Sequence, residues 1–161
     1  IIHYMQDRDR ALPLSPIPRK NWEIDAYPVN EIAEYVQDVS QGDIDVLVEE
    51  YYNKYDMILD GRDPEEFKKH VAVQAGIEIG FERFLEEKKY QAIVTHFGDL
   101  GSLEQLPGLA IQRLMEKGYG FGGEGDWKTA AMGIEAVYID GDTTIRNLQN
   151  ELRWNSMYFS K

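Results

Sequence analysis

The chain has no cysteine, which excludes disulfides and thiolate metal sites and makes a reducing cytoplasm the expected compartment. It is also short of positive charge: 17 Lys and Arg against 29 Asp and Glu leave a net charge of −12. Such a surface works against nucleic acid and against anionic membranes, both of which need clustered Lys and Arg. No apolar run approaches the roughly 20 residues of a membrane span, and Ile1-Ile2 is too short for the apolar core of a signal peptide. Neither nucleic acid nor a membrane is an expected partner. A starting methionine, an internal repeat and a phosphate-binding Gly-Lys-Ser/Thr loop are absent as well. What is present is 161 residues, 43% hydrophobic, enough for one domain with a core and too few for two ordinary ones.

Three of the six prolines, Pro13, Pro16 and Pro18, fall among charges in residues 1–21, which read as an extended arm or linker. Residues 22–161 are then expected to form a single domain. Trp22 to Val29 reads as a strand ended near Pro28, and Asn30 as the cap of an amphipathic helix from Glu31 to Val39. Gly42 is expected to break that helix, Asp43 to cap a second from Ile44 to about Tyr55, and Asp63-Pro64 to open a third that runs to about Glu87. Tyr90 to Phe97 is a short strand leading into a polar loop. Pro107 starts a helix over Leu109 to Lys117, with Gly118 as its terminal cap. Glu135 to Ile139 is the clearest strand, followed by Asp140 to Thr143 and a helix from about Thr144 to Trp154. Strands alternating with helices predict an α/β fold with a mostly parallel sheet, whose ligand crevice lies beyond the carboxyl ends of its strands. The loops after Phe97 and around Glu124 fall at such ends.

The most informative segment is Gly118 to Ala131. Glycines at 118, 120, 122, 123 and 125 surround one carboxylate, Glu124, just before a helix start at Trp127 that Asp126 can cap. Glycine lets the backbone take positive φ and pass close to a ligand, at an entropic cost that a purely structural loop rarely carries. The alternative is a mobile turn bearing a solvated acid. Gly118 to Gly123 also spells Gly-x-Gly-x-x-Gly, with Asp142 about 20 residues on, the spacing of a dinucleotide fingerprint. That fingerprint must follow a strand, whereas Gly118 follows a helix and is explained as its cap, so a dinucleotide site is rejected.

The block Gly118 to Ala131 resembles L-arabinose isomerase, which interconverts an aldopentose and a ketopentose. The preceding segment, Thr95 to Met115 (THFGDLGSLEQLPGLAIQRLM), resembles the family in the same order and without a gap. Weaker similarity reaches back to about Trp22, and the tail Gly133 to Tyr158, with Leu152-Arg153-Trp154-Asn155, resembles the family's extreme C-terminus. The resemblance implies a three-layer α/β fold like the family's central domain, over residues 22–132, completed by the segment 133–161. It implies aldose–ketose isomerisation of L-arabinose to L-ribulose in a cytoplasmic homo-oligomer, with manganese or another divalent cation as cofactor. On the matching positions, Glu124 is implied to bind the metal and to take part in proton transfer, and Phe97 to line the sugar pocket. The chemistry needs such groups, because moving a proton between C1 and C2 calls for a base at the carbon and a cation at the oxygens.

The departures matter equally. In the family a whole N-terminal domain precedes this part, and most of a catalytic domain, with one glutamate and two histidines that complete the metal site, lies between the positions where Met132 here meets Gly133. Residues 1–20 match nothing in the family. The expectation is therefore a fragment or remnant that is inactive alone. The alternatives are a non-catalytic assembly or scaffold module and a metal-free small-molecule-binding α/β domain.

Other residues carry weaker signals. Phe97 has a core-aromatic reading equal to the sugar-lining one. His96, at a strand end, is more often structural than a ligand, and His3 and His70 read as arm and helix-surface residues. Asp99 and Asp126 could turn toward a metal, but helix capping explains both more cheaply. Asp140-Gly141-Asp142 opens like a calcium loop without its later ligands and reads as a turn and cap. Tyr51, Tyr52 and Tyr55, with Trp22 and Trp154, form either an assembly surface or half-buried core.

Overall fold

The computed structural model describes residues 24–133 other than 97, 99 and 132. In chain order these form α1 (Val29–Gln37), α2 (Gln41–Lys54), α3 (Pro64–Lys88), β1 (Ala92–Thr95), α4 (Gly108–Glu116) and β2 (Gly120–Gly123), with residues 127–131 again helical. The expected strand from Glu135 to Ile139, the helix that follows it, the Asp140–Asp142 turn, Trp22 and Trp154 lie outside the described residues, as does the arm at 1–21.

The long helix α3 is the axis of the core. Asp63 accepts hydrogen bonds from the Glu65 and Glu66 N–H groups at 3.0 Å, Pro64 sits where a missing N–H costs nothing, and Glu65 and Glu66 complement the helix dipole. At its far end Lys89 turns left-handed (φ 61°) and the Tyr90 N–H closes on the Leu85 carbonyl, which stops the helix. One side of α3 buries Ile77, Phe81, Phe84 and Leu85 against Ile32 and Ala33 of α1, Ile93 of β1 and Ala110, Ile111 and Leu114 of α4. A second cluster joins Val71 and Ala75 of α3 to Val48 and Tyr51 of α2. Burial of each such large side chain stabilises the fold by about 1.5–3 kcal/mol. The α1–α3 contact is close because residue 80 is glycine: a Cβ there would lie 2.6 Å from the Val36 Cα.

The sheet of the described residues has two strands, β1 and β2, paired in parallel from Ala92↔Gly120 to Thr95↔Gly123. A parallel pair needs a crossover, and α4 supplies it, giving a strand–helix–strand unit and hence an α/β fold. The expected Gly118 cap is present: its φ is 99°, its N–H bonds to Met115 and the Tyr119 N–H reaches back to Leu114, so these two carbonyls of the last turn of α4 are satisfied.

Four expectations need correction. Ile24 to Pro28, the described part of the expected first strand, has no strand pairing. The Asn30 side chain does not cap α1, which starts behind Pro28 without a side-chain cap; its Oδ1 instead accepts from the Ser102 N–H at 3.1 Å, tying α1 to the loop after β1. Ser40, not Asp43, caps α2, accepting the Asp43 N–H, and the chain breaks at Asp38–Ser40 so that Gly42 lies inside the first helical turn. Most consequential, Gly120–Gly123 is not a loop but a strand. Glycine has low strand propensity, and here tertiary packing overrides it.

Candidate active site

The parallel register builds the site. Since Thr95 pairs with Gly123, the next residue of each strand, His96 and Glu124, emerges side by side at the carboxyl ends. Their side chains meet there, with His96 Nε2 3.1 Å from Glu124 Oε2 and both groups between one-third and one-half exposed. The other ring nitrogen is also held: the Gly98 N–H donates to His96 Nδ1 at 3.0 Å. The histidine that reads from sequence as structural is thus the direct partner of the carboxylate.

Glu124 lies in the left-handed region (φ 52°), followed by Gly125 (φ 84°). For a residue other than glycine that conformation costs about 1–2 kcal/mol, and such outliers cluster at functional sites. The turn is pressed onto the following helix, because a Cβ at Gly122 would overlap the Asp126 carbonyl oxygen. Asp126 caps that helix as expected. It accepts from the Thr129 N–H at 3.0 Å and from the Thr129 hydroxyl at 2.6 Å, and these bonds, first the side-chain one, hold its carboxyl below the usual value. Asp126 is therefore committed to the backbone. Beneath the pair, the buried Thr95 hydroxyl has no hydrogen-bond partner among the described residues.

Phe97 and Asp99 lie outside the described residues. Among the described residues no group of three or more His, Cys, Asp or Glu could hold a metal ion, so these residues do not by themselves fit a manganese site. No helix among them is long and apolar enough to cross a membrane. His70 is on α3, its Nδ1 2.9 Å from Gln105 Nε2, in keeping with a helix-surface role. The tyrosine cluster divides, Tyr51 being fully buried and Tyr52 40% exposed.

Sequence reasoning missed one further constellation. Glu78, fully buried on α3, accepts from the Tyr51 hydroxyl at 2.5 Å and from Arg113 Nε at 2.9 Å, with Lys117 Nζ 2.9 Å away. Arg113 continues to Glu50 at 2.5 Å and Lys117 to Glu82 at 2.5 Å. Burial, then the bond to Glu78, pushes the Tyr51 hydroxyl far above its ordinary value. The network joins α2, α3 and the end of α4, the helix whose C-terminal cap leads into β2. A signal was available: Glu78 falls on the apolar stripe Val71, Ala75, Phe81 and Leu85, where a charge is out of pattern unless it is paired.

The unit is of the α/β class whose ligand crevices lie beyond the carboxyl ends of parallel strands, and the strained carboxylate stands there. Comparison with known proteins narrows the class. Residues 18–140 match the family model for the L-arabinose isomerase central domain. The chain is 43% identical over 124 residues to the L-arabinose isomerase of Geobacillus kaustophilus, covering 76% of this chain and 25% of the relative. It is 45% identical over 121 residues to that of Serratia proteamaculans (74% and 24%) and 47% identical over 111 residues to L-arabinose isomerase 1 of Clostridium acetobutylicum (69% and 23%). The chain belongs to the L-arabinose isomerase family, through its central domain, and spans about a quarter of the length of these curated relatives.

Proposed function

We propose that Glu124 is a catalytic carboxylate of an aldose–ketose isomerase acting on a pentose, L-arabinose to L-ribulose, and that it acts within an assembled enzyme rather than in this chain alone. The observation that carries the reading is a carboxylate held at φ 52° at the carboxyl end of a parallel strand, inside the segment that matches the family. In that role Glu124 takes the proton from C2 of the aldose and returns it to C1, while a hydroxyl proton passes from O2 to O1. Glu124 is also proposed as one ligand of a divalent cation, manganese by resemblance, which supplies charge stabilisation of the enediolate when bound. The remaining ligands would have to come from outside the described residues. Phe97 is proposed to line the sugar pocket, and the assembled enzyme to be a cytoplasmic homo-oligomer. The finer fold proposed is three-layer, with residues 22–161 as one domain that the segment 133–161 completes.

Turnover of L-arabinose to L-ribulose with added manganese tests this, on the chain alone and mixed with a full-length relative whose equivalent glutamate is replaced. The chain alone should bind manganese weakly and be inactive, and the mixture should gain activity. Activity of the chain alone would refute the assembled-site reading. A mixture without activity would favour the second reading, an assembly module derived from the isomerase.

A further inference from the structure

We infer that His96 is the positioning residue of Glu124, through an imidazole whose tautomer the backbone fixes. A neutral imidazole has one N–H and one lone pair. The Gly98 N–H points at Nδ1 at 3.0 Å, so Nδ1 must accept, and the ring proton of the neutral form is placed on Nε2. Nε2 is the nitrogen 3.1 Å from Glu124 Oε2, so the ring donates to the carboxylate. The bond is charge-assisted on the acceptor side and fixes one carboxylate oxygen in direction.

Two consequences follow from this geometry. First, His96 does not offer a lone pair on the Glu124 side, so it supports the carboxylate and is not a metal ligand. Second, the ring's own position is set by residue 98 being glycine: a Cβ there would lie 2.9 Å from His96 Cε1 and 3.1 Å from Nδ1. The strands' register brings the two residues together, the Gly98 N–H selects the tautomer, and the tautomer aims the carboxylate. The role rests on the proposal that Glu124 acts in catalysis, but the geometry can be tested without turnover.

Long-range proton–nitrogen correlation spectra of the full chain, uniformly labelled and free of metal and sugar, at a pH where the ring is neutral, read the tautomer directly. The expected result is His96 with its proton on Nε2 alone, unlike the mixture of tautomers of a free imidazole. Gly98→Ala should return the ring to that mixture. A proton on Nδ1, or a free-imidazole mixture in the unsubstituted chain, would overturn the inference. A second arm separates aiming Glu124 from holding the turn. Glutamine places an amide N–H near the Nε2 position, whereas asparagine reproduces only the Nδ1 position. In the mixture with the full-length relative, His96→Gln should keep turnover within about threefold and His96→Asn should lower it about 10-fold or more, the usual loss when a supporting hydrogen bond is removed. Rescue by asparagine and not by glutamine would assign His96 to the turn and refute the positioning role. If the unsubstituted mixture shows no turnover, the functional reading fails by itself, and the tautomer still decides for or against His96.

Discussion

Replacing Glu124 by glycine separates a residue kept for function from one kept for stability, because the structure lets the opposing contributions be added. Glycine at φ 52° removes a left-handed penalty of about 1–2 kcal/mol. Against this, glycine adds unfolded-state freedom that costs about 0.5–1 kcal/mol, and the partly exposed contact with His96, worth about 0–1 kcal/mol, is lost. These three terms sum to between about −1 and +1.5 kcal/mol, a melting shift of no more than roughly 6 °C in either direction for a chain of this size. Glu124→Gln keeps the backbone strain and the shape, and should stay within about 0.5 kcal/mol. In the mixture with the full-length relative both variants should lose turnover severely, since neither glycine nor an amide can accept the proton. Thermal melts by circular dichroism and an L-ribulose assay give the two readings. A drop of 10 °C or more, roughly 3 kcal/mol, in either variant would make the side chain structural and refute the reasoning. Retained turnover in Glu124→Gln would remove Glu124 from the chemistry.

Three other outcomes follow from the same structure. Arg113→Met should lower stability by about 1–3 kcal/mol by urea denaturation, because it removes one of the two cations of the buried Glu78 carboxylate and leaves Lys117, and Glu78→Gln added to it should recover part of the loss. Asp126→Ala should cost about 1 kcal/mol at neutral pH through the lost cap. The Asp126 carboxyl is held below its ordinary 3.8, so its contribution is present above that value and lost as pH falls through the lowered one; the gap between variant and parent melts should close there. A chain ending at Met132 should lose cooperative melting, because Ala136, Val137, Ile139, Leu148, Leu152 and Trp154 form an apolar set that needs burial; identical melts would make residues 133–161 an appendage.

The legible parts of the fold were those with local chemistry. Asp63-Pro64 marked the start of α3, Gly118 the end of α4 and Asp126 the following helix, because each cap is satisfied within a few residues of sequence. The errors came where a distant partner decided. Asn30 looks like a cap but is taken by Ser102, and Gly120–Gly123 looks like a loop but is held straight by β1. Glu124 stood out through its glycines, whereas His96 did not, because what makes it important is a carboxylate 28 positions away that only the strand register brings near. The Glu78 network was missed for the same reason: its partners sit on two other helices.

The register of β1 and β2 works as a ruler. From the cap at Gly118 to Glu124 the chain is a fixed count of residues laid along backbone hydrogen bonds, and side chains contribute little to that count. Inserting or deleting one residue there would move the carboxylate by about 3.3 Å along the strand and turn it to the opposite face of the sheet. Glu124 would leave His96 even with every original side chain still present. Substitutions in this stretch alter how well the site is held, whereas a single change in its length decides whether the two groups meet.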